Sequence, residues 1–309
     1  MDFLNNINLS QPINLDLLAK KAVEGFIIGL HKSPYHGFSV EFAEHRQYFQ
    51  GENIRSVDWK VYARTDKLYT KKYEEETNLR ARIIIDVSSS MYYPLPDTKH
   101  KSGINKLQWS CLASAALIYL LKKQRDAFGL TLFDSEIRYH SPARSNSTHQ
   151  KLIFNTLENY IRNSELQKST ATAQTLHQIA DTIHKRSMVI LFTDMLDDPT
   201  NSKPIFDAVQ HLRHNKHEVV LFHVLDKATE LDFAFDNQPL EFIDMETNER
   251  IKLQSHEVKE NYVRLMSDYE KEIKIKSLQN KIDYVPVDIH QGFNQVLQSF
   301  LIRRSKMNI

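Results

Sequence analysis

The sequence predicts an α/β fold in which a mostly parallel β-sheet is covered by helices on both faces. Short apolar runs rich in β-branched residues alternate with longer segments whose apolar residues recur at helical spacing. The chain has 309 residues, enough for one large domain with an extension or for two domains. We divide it into residues 1–79, an N-terminal helix with an extension, and residues 80–309, the α/β domain.

The N-terminal part is predicted to contain one helix, followed by an irregular and partly β extension. Apolar residues recur about every four positions from Leu15 to Leu30, which predicts an amphipathic helix. Residues 31–78 are dense in charged and aromatic side chains and show no helical period. Because disordered linkers are poor in aromatic residues, we expect this extension to be ordered, with a candidate strand at residues 67–73.

In the α/β domain, predicted strands and helices follow each other as in βαβ units. A polar turn after the second strand predicts a hairpin with residues 136–140, and a small inserted hairpin is predicted at about residues 240–253 at the sheet edge. The predicted buried strands are residues 81–86, 127–133, 188–194, 218–224 and 282–288. The predicted helices are residues 107–123, 148–162, 172–185, 204–214, 255–277 and 293–304.

The composition argues against several classes of function. The 40 basic and 39 acidic residues leave no electrostatic footprint for nucleic acid or an anionic membrane. The seven glycines form no phosphate-binding loop, so we expect no nucleotide hydrolysis. The single cysteine, Cys111, cannot form an internal disulfide, which fits a reducing compartment. The start of the chain is polar and the longest apolar run is short, so we expect no signal peptide, no membrane insertion and a cytoplasmic location.

Oxygen-bearing side chains follow two of the predicted strands. Asp86, Ser88 and Ser90 stand one residue apart at the end of the first buried strand, and the strand from residue 188 ends in Asp194. In open α/β sheets the carboxyl ends of the strands form the edge where ligands bind. Serines after a strand are also typical of turns and helix caps, and a carboxylate there is typical of a cap.

A fifth candidate is Thr170, which stands just before a predicted helix and could place its hydroxyl at the same edge of the sheet. A helix cap is the alternative role for this threonine. Two carboxylates and three hydroxyls are hard ligands that suit Mg²⁺, or another divalent cation such as Mn²⁺ or Ca²⁺. Since Mg²⁺ takes six oxygens, we expect one coordination position to stay open for water or an incoming acidic group.

This set of residues resembles the metal-ion-dependent adhesion site of von Willebrand factor A-type domains, whose pattern is Asp-x-Ser-x-Ser, then Thr, then Asp. The resemblance implies a von Willebrand factor A-like, Rossmann-like fold for residues 80–309. The extension before it contains a second pattern, made of Gly37, Glu41-Phe42, Glu44, Arg46, Tyr48, Gly51-Glu52, Arg55, Asp58-Trp59 and Ala63-Arg64. These residues resemble the signature of the bacterial domain of unknown function 58, in which such a segment directly precedes the A-type domain.

The sequence departs from these patterns at two places. Glu52 stands where an Asp is usual, and Lys168-Ser169 stand where two glycines are usual. Without the glycines, both Thr170 and Thr172 stay open as the hydroxyl ligand.

Members of the resembled family are encoded beside MoxR-type AAA+ ATPases. The resemblance therefore implies a non-enzymatic partner of a MoxR-type ATPase, which acts with an unknown client protein in assembly, activation or stress response. In this hypothesis the metal site captures an acidic residue of the partner protein. Closing the coordination of the metal would then shift a helix.

The alternative hypothesis is a Mg²⁺-dependent phosphotransferase or phosphatase with Asp86 as the nucleophile. Enzymes of the haloacid-dehalogenase type place a second carboxylate two residues later, and this chain has Ser88 there. A serine hydrolase is disfavoured because no Gly-x-Ser-x-Gly motif is present. The 14 histidines lack zincin spacing, and we expect most of them at the surface. We therefore expect a binding module and not an enzyme.

Overall fold

A computed structural model describes residues 14–31, 45–47, 59–71, 79–95, 103–162, 172–196, 203–214, 216–235, 239–245 and 249–307. Its helices are α1 (Leu15–His31), α2 (Trp59–Thr65), α3 (Lys106–Lys123), α4 (Ser147–Arg162), α5 (Thr172–Thr182), α6 (Lys203–His214), α7 (Ser255–Gln279) and α8 (Asn294–Met307). Its strands are β1 (His45–Gln47), β2 (Tyr69–Lys71), β3 (Arg80–Asp86), β4 (Ala127–Phe133), β5 (Ile137–His140), β6 (Met188–Thr193), β7 (Glu218–Leu225), β8 (Pro239–Ile243), β9 (Arg250–Gln254) and β10 (Asp283–Asp288).

The central sheet has the strand order β10-β7-β6-β3-β4-β5 within the described residues. Every neighbouring pair is parallel except β4 and β5, which form the predicted antiparallel hairpin. Strand β3 lies in the interior of the sheet between β6 and β4, and its residues after Arg80 are all buried. The predicted α/β fold with a mostly parallel sheet is confirmed.

Helices cover both faces of this sheet. Alternate residues of β3 point to opposite faces, so that Ile83 and Ile85 join one apolar core while Ile84 joins the other. Helices α1, α3, α4 and α8 contribute to the first core, and α5, α6 and α7 contribute to the second. A strand buried on both faces must be apolar throughout, which explains the unbroken apolar run that precedes Asp86.

The predicted N-terminal helix is confirmed as α1, and it packs on the first core. Leu15, Ala19, Val23 and Phe26 are buried on one side of the helix, and its first backbone amide donates to Glu158 of α4 at 3.1 Å. The candidate strand at 67–73 is present as β2, which pairs with β1 in a separate two-stranded sheet. Helix α2 was not expected, since its described side chains are exposed and give no apolar period. The division of the chain at residue 79 stays a prediction.

The predicted inserted hairpin is formed by β8 and β9, which pair antiparallel. The sequence analysis placed this hairpin at the edge of the central sheet. In the structure the two strands pair only with each other and form a separate two-stranded sheet. The hairpin lies against α7, which follows it directly in the chain.

One charged side chain of β3 is buried beside the neighbouring strand β4. Arg82 is 6% exposed, and its guanidinium donates to the carbonyl of Ser141 at 2.5 Å. Burial lowers the pKa of Arg82 to about 10. Gly129 stands opposite Arg82 on β4, and a Cβ at Gly129 would lie 2.7 Å from the Arg82 Nη1 and 2.9 Å from the Ser141 carbonyl oxygen. Only glycine leaves room for this side chain.

We predict that Gly129→Ala destabilises the protein by about 1–3 kcal/mol, because the added methyl group displaces the Arg82 guanidinium or the backbone beside it. Denaturant unfolding measures the change. Gly25→Ala is the matched control, since nothing lies within 4 Å of the added methyl group in α1. There the exchange is expected to be neutral or stabilising by up to about 1 kcal/mol, since alanine favours a helix. Equal effects of the two substitutions would contradict this account of Gly129.

Candidate metal centre

Two carboxylates lie side by side at the carboxyl edge of the sheet. Asp86 is the last residue of β3 and Asp194 directly follows β6, and these two strands are parallel neighbours paired up to Ile85 and Phe192. Each carboxylate residue is only 2% exposed. The order of the strands therefore brings together two acidic residues that are 108 positions apart in the sequence.

A short turn after β3 adds two hydroxyl groups. The chain enters a 3-10 turn at Ser89–Tyr92, with Ser88 immediately before it. The Ser88 amide donates to Asp86 Oδ1 at 2.9 Å, and the hydroxyl oxygens of Ser88 and Ser90 lie 3.2 Å apart. Ser90 in turn hydrogen-bonds to the side chain of Asp194. Hydrogen bonds thus run from one carboxylate to the other through the two serines, and we call these four residues the oxygen cluster.

The two carboxylates have different electrostatic environments. Burial, and secondarily the charge of Asp194, raise the pKa of Asp86 from 3.8 to about 7, although hydrogen bonds from Ser88 and Thr193 act in the opposite direction. Burial also acts to raise the pKa of Asp194, but the ammonium group of Lys106 outweighs it and holds that pKa below its usual value. Asp194 is therefore ionised at neutral pH, while Asp86 holds a proton part of the time when no cation is present.

Lys106 is a residue of the site that the sequence analysis missed. It is the first residue of α3 and is fully buried, and its ammonium donates to Asp194 Oδ2 at 2.8 Å and to Glu230 Oε1. Burial favours the neutral amine, but the charges of Asp194 and Glu230 outweigh it and hold the pKa of Lys106 above its usual value. Glu230 belongs to a π-helical turn at Lys227–Leu231 that follows β7.

The charges in this region do not balance. Among the described residues, the ammonium of Lys106 pairs with the carboxylates of Asp194 and Glu230, while Asp86 forms no ion pair. Counting these four side chains alone, two negative charges are left over when every group is ionised. Burial makes such an excess costly, and burial likewise raises the pKa of Glu230. A divalent cation carries the charge that would balance it.

A buried histidine lies beside the cluster, an exception to the expectation that most histidines lie at the surface. His223 on β7 is 1% exposed, and its Nε2 lies 2.9 Å from the Asp194 carbonyl oxygen. Its Nδ1 lies 2.9 Å from the Tyr284 hydroxyl. Burial lowers the pKa of His223 to about 4, so the ring is neutral and donates from Nε2 to that carbonyl. It fixes the backbone of Asp194 without adding charge.

Of the five predicted ligands, the structure brings Asp86, Ser88, Ser90 and Asp194 together. Thr170 lies outside the described residues, and so does the side chain of the alternative, Thr172. Within the described residues, no group of three or more His, Cys, Asp or Glu side chains is arranged to hold a metal ion. A cation at this edge would therefore depend on serine hydroxyls together with the two aspartates.

The geometry defines an α/β domain with a buried, acidic, oxygen-rich cluster at the carboxyl edge of its sheet. The family described as "Protein of unknown function DUF58" matches residues 44–272, and the chain belongs to this family. Uncharacterized proteins of Mycobacterium bovis and Mycobacterium tuberculosis are 22% identical to it over 212 residues. The alignment covers 69% of this chain, which spans 63% of the length of these relatives.

Solved structures of bacterial proteins show a distant likeness. The conserved hypothetical protein BatB from Bacteroides thetaiotaomicron is 14% identical with a TM-score of 0.43, covering 74% of this chain and 98% of that one. An aerotolerance-related membrane protein from Bacteroides fragilis is also 14% identical with a TM-score of 0.43, covering 73% and 99%. The PilB minor pilin from Streptococcus sanguinis is 10% identical with a TM-score of 0.40, covering 78% and 64%.

No helix in the described part of the chain has both the length and the apolarity needed to cross a lipid bilayer.

We predict that Asp86→Asn stabilises the metal-free protein at pH 8. The folded-state pKa of Asp86 is raised, so its stabilising contribution is present below about pH 4 and is lost as the pH rises to about 7. Asparagine removes the buried charge, and the Thr193 hydroxyl, which donates to Asp86 Oδ2 at 2.8 Å, can accept from the new amide. In EDTA the melting temperature of Asp86→Asn should exceed that of wild type by roughly 2–4 °C for each kcal/mol by which the free energy of unfolding increases.

At pH 5 the same comparison should give a smaller difference, because wild-type Asp86 is then protonated in the folded state. Other titrating groups are common to both variants and cancel. A lower melting temperature for Asp86→Asn at pH 8, or a difference that does not shrink at pH 5, would contradict the proposed charge state.

We predict that Lys106→Met lowers the free energy of unfolding by about 3–5 kcal/mol, because Asp194 and Glu230 lose their buried counter-charge. Lys123→Met, at the exposed end of the same helix, is the matched control and should have little effect. Denaturant titration of both variants in EDTA measures the difference. If both substitutions cost the same, Lys106 does not have the structural role assigned to it.

Proposed function

We propose that this chain is a non-enzymatic protein-interaction module that binds a divalent cation at the oxygen cluster and captures an acidic residue of a partner protein there. The observation that carries the proposal is the run of hydrogen bonds that joins Asp86, Ser88, Ser90 and Asp194 at one edge of the sheet. Mg²⁺ is the favoured ion, with Mn²⁺ and Ca²⁺ as alternatives, because all the donors are oxygens.

The proposed fold assignment is a von Willebrand factor A-like domain. Its support is the parallel sheet with helices on both faces, together with an Asp-x-Ser-x-Ser turn at the end of an interior strand and a second Asp at the end of the neighbouring strand. In this assignment the threonine ligand would come from Thr170 or Thr172. The cation would neutralise the excess of buried carboxylate charge and would hold an open position for an external oxygen.

The proposed partner is a MoxR-type AAA+ ATPase, acting with a client protein in the cytoplasm in complex assembly, activation or stress response. Its support is the resemblance of residues 37–64 to the family segment and the family match over residues 44–272. An acidic side chain of the partner is the chemistry that an open position on a hard cation would select.

The alternative function, a phosphotransferase or phosphatase with Asp86 as nucleophile, has less support. Both oxygens of Asp86 already accept hydrogen bonds, from the Ser88 amide and the Thr193 hydroxyl. The residue is 2% exposed, and no carboxylate stands at position 88 to act as acid and base. Turnover of a generic phosphate ester with Mg²⁺ that disappears in Asp86→Asn would establish the enzyme and overturn the binding module.

We predict that Asp86→Asn weakens Mg²⁺ binding at least tenfold, as measured by isothermal titration calorimetry, since it removes a charged ligand. Ser88→Ala combined with Ser90→Ala should do the same. Asp181→Asn is the control, because its carboxylate is 72% exposed and lies near the end of α5, nine positions after the candidate ligand Thr172. Binding to a purified MoxR-type ATPase should be lost in Asp86→Asn and kept in Asp181→Asn.

The ATPase has its own requirement for Mg²⁺, so both variants are compared at one fixed Mg²⁺ concentration and not by chelation. If wild type and Asp86→Asn bind Mg²⁺ equally well, the cation does not bind at the oxygen cluster. If Asp86→Asn loses Mg²⁺ binding but still binds the ATPase as wild type does, the ATPase does not bind through the metal site.

A further inference from the structure

A cavity of about 420 Å³ opens directly beside the oxygen cluster. Ser90 of the cluster forms part of its lining, as do Lys106 and Glu230, while Leu196 lies two residues after Asp194. The rest of the wall is mostly aromatic, and we call the cavity the aromatic pocket. Its aromatic side chains are Tyr93, Phe233, Phe235, Phe242 and Tyr262.

Four of these five aromatic rings, all except that of Tyr93, come from three separate elements and pack against one another. Phe233, after the π-helical turn, lies with its ring centroid 4.7 Å from that of Tyr262 on α7 and 5.7 Å from that of Phe242 on β8. Phe235 meets Phe242 edge to face at 5.3 Å. Packed aromatic rings keep a pocket open in one shape, so a ligand would bind with little rearrangement.

The apolar surface continues outside the pocket on the inserted hairpin. Phe242 is partly exposed, and Ile251 stands directly opposite it on β9. Cross-strand partners share one face of a two-stranded sheet, and Ile251 is 59% exposed. A partner that enters the pocket would therefore meet a further apolar side chain at its rim.

The charges of the lining decide which part of a partner can enter. Glu230 and Asp244 line the pocket, and the ammonium of Lys106 is already held by two carboxylates. An acidic side chain would be repelled inside this pocket, and it is attracted to a cation at the neighbouring cluster. An uncharged apolar side chain is not repelled by the carboxylates and needs no free counter-charge, and the volume of the pocket suits an aromatic ring.

We infer that the aromatic pocket receives a large apolar side chain of the partner polypeptide, next to the Asp or Glu that engages the oxygen cluster. The recognised segment is thus a short pair of one acidic and one aromatic or large aliphatic residue. This inference rests on the proposed function, since it places the acidic residue at the cation. It adds a source of specificity, because the apolar side chain that enters the aromatic pocket would distinguish one acidic partner from another.

The test uses N-acetylated, C-amidated tripeptides as probes of the full chain in Mg²⁺. Affinities for Asp-Gly-Phe and Phe-Gly-Asp are compared with those for the corresponding alanine and lysine peptides by NMR titration. We expect the better phenylalanine peptide to bind at least tenfold more tightly than its alanine counterpart, because the ring is removed from water. Tighter binding of the lysine peptide would overturn the inference in favour of a cationic ligand.

Substitutions in the wall locate the effect. Phe242→Ala should reduce the phenylalanine advantage to within about twofold while leaving the affinity for the alanine peptide unchanged. Ile243→Ala is the matched control, since Ile243 is adjacent in β8, points to the opposite face and is 48% exposed. If Phe242→Ala does not fold, Met245→Ala removes another part of the lining and is judged by the same criterion.

Two controls separate this inference from the proposed function. Mg²⁺ alone is titrated first, and no shift of the Ser88 and Ser90 amide signals would refute the metal site itself. If Mg²⁺ binds but the phenylalanine and alanine peptides bind equally, the aromatic pocket is not a recognition site and the metal site stands. If the phenylalanine peptide binds equally well in EDTA, the pocket acts alone and the paired recognition is wrong.

Discussion

The parallel pairing of β3 with β6 places the buried carboxylates of Asp86 and Asp194 close enough to repel each other. The rest of the site follows from that constraint. Asp194 is ionised because Lys106 reaches it from the first turn of α3. Asp86 forms no ion pair with any described residue, and its pKa is raised to about 7 by burial and by the charge of Asp194. A buried carboxylate without a counter-charge lowers the stability of the fold, so stability alone does not explain its presence at this position. The unbalanced charge is the physical reason to expect a cation.

Three neighbouring elements extend this edge of the sheet into a surface. The turn after β3 supplies hydroxyls, the π-helical turn after β7 supplies Glu230 to hold Lys106, and the hairpin β8–β9 supplies Phe242 to the aromatic pocket. Each segment follows or is inserted after a strand of the sheet, as binding segments of α/β domains commonly do. The oxygen cluster and the aromatic pocket share Ser90, so that one partner segment could contact both.

Local patterns in the sequence predicted the strands and helices of the α/β domain, since apolar runs and helical periods are local properties. They also predicted the meeting of Asp86 with Asp194, because parallel strands end at a common edge. Helix α2 was missed since it buries no apolar face among its described side chains. Lys106 was missed because its burial depends on Glu230, 124 positions later, and lysine in a first helical turn is ordinarily exposed. The aromatic pocket joins residues from several elements and has no local pattern.

The central claim is that a divalent cation binds where β3 and β6 end. The most direct measurement is a crystal structure of the protein grown with Mn²⁺, with anomalous scattering used to locate the ion. The account predicts an anomalous peak at coordination distance from the Asp86 carboxylate and the Ser88 and Ser90 hydroxyls. An ordered, metal-free oxygen cluster in those crystals, with any Mn²⁺ bound elsewhere, would contradict it.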